Sequence, residues 1–178
     1  MQKQSPRERL LDAASVLFHN QGYYNTGINQ IVNESKVSKA SFYDHFKSKD
    51  ELCIAFLKKR FEYWVSEWES FISTAISVEE KILKSFDFLI YMNENENFRG
   101  GSFFNISSEI PDNKVQIHNT IRQHKNQIRK LFKSEIRDEI LADNIYLLFE
   151  TSLVMSRVYR SNELIEKSRI IADNLLKN

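Results

Sequence analysis

Residues 26–52 read TGINQIVNESKVSKASFYDHFKSKDEL, and this stretch decides the fold. Its apolar residues recur at helical rather than alternating spacing: Ile28, Ile31 and Val32 make one short stripe, and Phe42 and Phe46, one turn apart, make another. Thr26 is placed to cap the first helix and Ser38 the second, because a hydroxyl accepts a backbone N–H that has no partner inside the helix. Only Ser35-Lys36-Val37 links the two. So short a link forces the helices to cross steeply, with Val37 as the apolar pin between them and the preceding helix. The pattern is a helix-turn-helix.

The same cap chemistry marks the flanks. Ser-x-x-Glu, in which the Ser hydroxyl accepts a free N–H and the Glu reaches back, occurs at Ser5–Glu8, Ser48–Glu51 and Ser77–Glu80. These predict helices near 6–21, 49–74 and 78–94, the first reinforced by Pro6 at its opening position. Leu10, Ala13, Ala14, Leu17 and Phe18 line one face of the first helix, which stops at Gly22, a residue free to take a left-handed conformation. After Asn93, alternating Asn and Glu and then Arg99-Gly100-Gly101 break the helix, and a short one over 102–109 ends at Ile110-Pro111. Amphipathic helices follow over about 112–137, 141–159 and 162–176. The segment 141–159 is apolar around much of its circumference, so the last two helices, with Leu153 and Leu175 among their apolar groups, are candidates for a seam between two copies.

Composition agrees with helix. The 178 residues include only four Gly and two Pro, too little turn chemistry for a many-stranded protein. Residues 1–60 hold ten Lys and Arg against six Asp and Glu, whereas the remainder holds fifteen against eighteen. A basic excess confined to the first third fits a nucleic-acid contact. The one Cys, Cys53, can form neither an internal disulfide nor a Cys-based zinc site and reads as a small buried hydrophobe, so the core must supply stability by burial. No apolar run reaches the roughly 18 to 20 residues that span a bilayer, and Met1–Arg9 lacks the apolar stretch of a signal peptide, so a cytoplasmic protein without membrane contact is expected. Glycine-rich nucleotide loops, a Gly-x-Ser-x-Gly elbow and His-Glu-x-x-His are absent, and the residues three before each His are Val16, Phe42, Val115 and Ile121 rather than Glu. The expectation is a protein that is not an enzyme, with no cofactor and no metal.

From Arg7 to Leu57 the chain resembles the amino-terminal DNA-binding domain of TetR-type (tetracycline-repressor-like) transcriptional regulators. The resemblance rests on Ala14-x-x-Leu17-Phe18 before Gly22-Tyr23, Thr26, Val37-Ser38-Lys39, and Phe42-Tyr43-x-His45-Phe46-x-Ser48-Lys49-x-Glu51-Leu52. The later part, with Gly100-Gly101, Asn105 and two terminal helices, is similar to that family's ligand-binding and dimerisation domain. It implies an all-α fold: a three-helix helix-turn-helix domain at 1–48, then a carboxy-terminal helical bundle at 49–178 whose helix 49–74 is the connection. It also implies a ligand-responsive repressor that binds a palindromic double-stranded DNA operator as a homodimer and is released by a small, partly apolar effector. The competing reading is a helical ligand-binding or enzymatic bundle with a vestigial helix-turn-helix.

Chemistry then assigns roles. Helix starts at Thr26, Ser38 and Ser48 can grip phosphates, helped by hydroxyls and by Lys49. Tyr43 and His45 lie opposite Phe42 and Phe46 and are free to reach phosphate oxygens. Lys39, Ala40 and Ser41, in the first turn of the second short helix, are placed to read base edges: Lys donates to guanine, Ser to several edges, and Ala meets a thymine methyl. Asn29 is a further base or phosphate contact. For the effector, Trp64, Trp68, Phe86, Tyr91, Phe104 and Phe149 are expected as apolar walls, and Asn105 and His118 as orienting polar groups.

Overall fold

The structure, a computed structural model, describes residues 4–177. Among the described residues there are nine helices and no strand: α1 Pro6–Gln21, α2 Ile28–Ser35, α3 Lys39–His45, α4 Lys49–Ile72, α5 Val78–Asn95, α6 Ser102–Glu109, α7 Val115–Glu135, α8 Glu139–Tyr159 and α9 Glu163–Lys177. None of them is long and apolar enough to cross a membrane.

The caps set most of these boundaries. Ser5 and Glu8 form the reciprocal pair, with Ser5 N donating to Glu8 Oε2 at 2.8 Å and Glu8 N donating to Ser5 Oγ at 3.3 Å. At α4 and α5 the acidic residue reaches one position further back: Glu51 accepts from Lys47 N and Glu80 from Ile76 N. Ser38 Oγ accepts Ser41 N at 3.1 Å and opens α3. Asp138, whose carboxylate accepts from Ile140 and Leu141, starts α8 two residues ahead of the expected 141. Thr26 does not cap α2. That position belongs to Gly27, and Thr26 is fully buried with its hydroxyl donating to the Gly22 carbonyl at 2.6 Å. The turn between α2 and α3 runs through Lys36 in the left-handed region, φ 52°, with Val37 buried behind it.

Two compact units form. One comprises the chain through Glu62 together with Ser102–Arg122; the other comprises Tyr63–Gly101 and the chain from Gln123 onward. In the first, α1 contributes Leu10, Ala14 and Phe18, α2 Ile31, and α3 Phe42, with Val37 and Phe46 closing the ends. The core continues through Leu52, Cys53, Phe56 and Leu57 of α4 and through Ile106, Ile110, Ile117 and Ile121. A boundary after residue 48 therefore cuts through a packed body. The first half of α4 and the α6–α7 segment bury these side chains in that same core, and full burial of a Leu, Ile or Phe is worth roughly 1.5–3 kcal/mol.

In the second unit α8 packs on α9 and α5 on α9. Trp68 donates from Nε1 to Ser85 Oγ at 3.0 Å, which satisfies the one polar group of a buried indole. Asn93 donates to Ser156 Oγ at 2.8 Å and to Asn162 Oδ1 at 3.1 Å, tying the end of α5 to the α8–α9 corner.

Candidate nucleic-acid interface

Helix α3 sorts its residues by face. Phe42 and Phe46 are buried in the core of the first unit, and Phe46 also carries the Arg7 guanidinium 5.1 Å from its ring centroid. Lys39, Ala40 and Tyr43 are exposed, Tyr43 by 48%, while Ser41 and His45 are half-buried. Tyr43 is held edge-on against Phe42 with ring centroids 5.2 Å apart, which aims its hydroxyl outward on a rigid base. The short helix thus exposes a cation, a methyl and a phenol hydroxyl, with the Ser41 hydroxyl half-buried, groups of the kinds that can meet base edges and phosphates. Asn29, in the first turn of α2, is exposed. Ser48 is half-buried and caps α4 by accepting Glu51 N at 3.2 Å.

Lys49 sits differently from a free surface cation. Its ammonium donates to the Tyr23 and Thr26 carbonyls, both at 3.0 Å, and lies 4.0 Å from the Tyr23 ring centroid. An ammonium has three donors, so one is left for an outside acceptor. Burial draws the Lys49 pKa below its ordinary value, against the opposing pull of Asp50. Thr26 belongs to the scaffold and not to the surface, because a fully buried hydroxyl already donating to Gly22 cannot meet a phosphate.

Most carbonyls of the turn between α1 and α2 accept a hydrogen bond. Gly22 O takes the Thr26 hydroxyl, Asn25 O takes Gln21 Nε2 at 2.9 Å, and the remaining carbonyls of Tyr23 and Thr26 take Lys49. Side chains remote in sequence complete it. Glu109 Oε2 accepts Tyr24 N at 2.9 Å, the Tyr23 hydroxyl donates to Asp50, and Lys114 pairs with the other Asp50 oxygen at 2.7 Å. Burial pushes the Tyr23 hydroxyl pKa up, and the Asp50 carboxylate beside it acts in the same direction. Neither Glu109 nor Lys114 carries a sequence signal toward this turn; only their distance in space does.

The eight residues expected around an effector do not come together in one body. Trp64, Trp68, Phe86, Tyr91 and Phe149 lie in the second unit, whereas Phe104, Asn105 and His118 lie in the first. Trp64 stacks on Trp68 at 6.3 Å and meets Phe149 edge-on at 6.2 Å, and Phe86 meets Phe149 at 5.7 Å, so these rings pack against each other. Tyr91 and Phe104 are exposed, and Asn105 is buried. His118 is half-buried with Nε2 3.3 Å from the Pro111 carbonyl. Cys53 is buried and its thiol pKa is raised by burial, which suppresses the thiolate.

Two short helices joined through a left-handed Lys36, the second capped by Ser38 and exposing Lys39, Ala40 and Tyr43, define the class: a helix-turn-helix DNA-binding protein. The sequence model of bacterial regulatory proteins of the tetR family matches residues 10–56, so the amino-terminal domain of this chain is similar to that family's. The transcriptional regulator LmrA of Bacillus subtilis is 48% identical over 58 residues, 32% of this chain and 31% of that protein. The matching stretch thus spans less than a third of the length of the first curated relatives, 31%, 30% and 26%. Solved structures extend the likeness along the whole chain. A TetR transcriptional regulator from Legionella pneumophila is 27% identical with TM-score 0.75, covering 98% of each chain. A tetR-type chain from Streptomyces avermitilis is 28% identical with TM-score 0.81, covering 96% of this chain and 99% of that one.

Proposed function

We propose that this chain is a one-component transcriptional regulator, a repressor that binds a palindromic duplex as a homodimer and lets go when a small, partly apolar molecule binds its carboxy-terminal part. The observation that carries the reading is α3: a helix pinned by Phe42 and Phe46 that turns Lys39, Ala40 and Tyr43 outward. Lys39, Ala40 and Ser41 meet bases; Tyr43, His45, Ser38, Ser48, Asn29 and the remaining donor of Lys49 meet phosphates. Two recognition helices must enter successive major grooves about 34 to 36 Å apart, which requires two copies. Support for two copies comes from the groove along α8 and α9, walled by Leu147, Leu148, Met155, Leu164, Ile171 and Leu175, with Leu147 exposed by 59%. A face so apolar calls for cover. A switch has a physical route in α4, one unbroken helix whose start carries Lys49 and whose later turns carry Trp64 and Trp68. An effector that prefers one setting of this helix changes DNA affinity by its differential binding, about 5- to 150-fold for a coupling of 1–3 kcal/mol. The test is a gel shift with duplex DNA flanking the protein's own gene, with and without ligands found by thermal-shift screening. A retarded band that a ligand abolishes supports the reading; no retarded band with any duplex favours a ligand-binding bundle.

A further inference from the structure

Two charged side chains from outside the helix-turn-helix hold the turn that leads into α2. Glu109, the last residue of α6, accepts the Tyr24 N–H at 2.9 Å, and its carboxylate fills the space beside Gly22. Lys114, just before α7, pairs with Asp50 at 2.7 Å, while the second Asp50 oxygen accepts the Tyr23 hydroxyl. Consecutive residues, Tyr23 and Tyr24, are thereby fastened through a side chain and a backbone amide to the α6–α7 segment. The turn needs this restraint. It starts at a glycine with φ 85°, its Tyr24 is 78% exposed, and it delivers a helix that has no side-chain cap because Gly27 stands at that position. Donors that meet phosphates work only when placed within about half an ångström of the productive geometry.

We propose that Glu109 and Lys114 are positioning residues for duplex binding, acting through the Tyr23–Tyr24 turn on the start of α2. The proposal rests on the DNA-binding reading above. It separates placement from charge: if Lys114 acts through its pair with Asp50 and not on a phosphate, its loss moves the contacts of others without removing one of its own.

The test is anisotropy of a labelled mixed-sequence duplex of about 30 base pairs, about three helical turns, titrated with the full chain at several salt concentrations. Lys114→Met should weaken binding about tenfold at every salt concentration with an unchanged salt slope, and Lys114→Arg should restore it. In an Asp50→Asn background, Lys114→Met should add little, since both act through one link. Glu109→Ala should speed hydrogen exchange at the Tyr24 amide, a readout that needs no DNA. Wild-type affinity for Lys114→Met overturns the proposal, as does a slope lowered by about one that persists in the Asp50→Asn background, which marks a direct phosphate contact. Unchanged Tyr24 exchange in Glu109→Ala overturns its Glu109 half. A wild-type chain that binds no duplex removes the DNA reading itself, and the positioning role falls with it.

Discussion

Gly22 and Glu109, distant in sequence, compete for one space: a β-carbon on Gly22 would lie 2.2 Å from Glu109 Oε1, well inside contact distance. The glycine also has φ 85° and ψ 174°, a combination open to almost no other residue. Gly22→Ala therefore meets both backbone strain and a displaced carboxylate, and should cost about 2–4 kcal/mol in urea unfolding. Adding Glu109→Ala should recover the steric part only. A double variant as stable as wild type would show that the backbone carries no strain there.

Acid should loosen the same region. Burial pushes the Asp50 carboxyl up, but the hydrogen bonds from Lys114 and Tyr23 outweigh it and hold the pKa below the ordinary 3.8. A depressed carboxyl contributes stability that is present above its unfolded value and is lost as pH falls through the folded one. The stability gap between wild type and Asp50→Asn should narrow as pH drops below about 4, measured by urea midpoints across the acid range. A gap independent of pH would mean that the pair with Lys114 does not stabilise the fold.

Much of this was legible in the chain because the signals are local. The caps at Ser5, Ser38 and Ser48, the stripe of Leu10, Ala14 and Phe18, and the inward Phe42 and Phe46 all act within a turn or two of themselves. The unit boundary was not legible, since nothing near Ile106, Ile110, Ile117 or Ile121 says that they pack with Phe56 and Leu57. Thr26 misleads for a related reason: a hydroxyl beside a helix start serves equally as a cap or as an internal turn bond, and burial decides. The aromatic residues show richness in sequence, but only the packed structure shows Trp64, Trp68, Phe86 and Phe149 ring against ring within one unit, and assigns Asn105 and His118 to the other.

On the recognition face, phosphate and base contacts should part cleanly. Tyr43→Phe removes one outward hydroxyl and should weaken binding to all duplexes alike, by about 1 kcal/mol. Lys39→Ala should relax base preference, with a discrimination loss of about 1–3 kcal/mol at one position of each half-site. If sequences selected by Lys39→Ala match those of wild type, Lys39 reads no base.

Lys49 should show two effects in one variant. Replacing it by Met strips the Tyr23 and Thr26 carbonyls of a shared donor and should lower unfolding stability by about 1–3 kcal/mol. Loss of its remaining donor should also lower the salt slope of duplex binding by roughly one unit per half-site. A stability loss with the slope intact would leave Lys49 a scaffold residue alone.

The α8–α9 groove should be closed by a second copy. Leu147→Glu or Leu175→Glu places a charge in that seam and should yield monomers, since an unpaired buried charge costs several kcal/mol. Leu153, also expected at the seam, is half-buried with its side chain beside Gly101, so Leu153→Glu should lower fold stability as well as weaken the dimer. Sedimentation of wild type as a monomer at micromolar concentration would remove the dimer.

If α3 reads duplex DNA as one of a symmetric pair, selection of bound sequences from random duplex DNA by the protein will record it in the bound pool. That pool should be enriched in an inverted repeat whose half-sites lie about 10 base pairs apart, or a multiple of it, centre to centre, with an altered motif for Lys39→Ala. A bound pool no different in sequence from the starting pool, at salt where non-specific binding is weak, would contradict it.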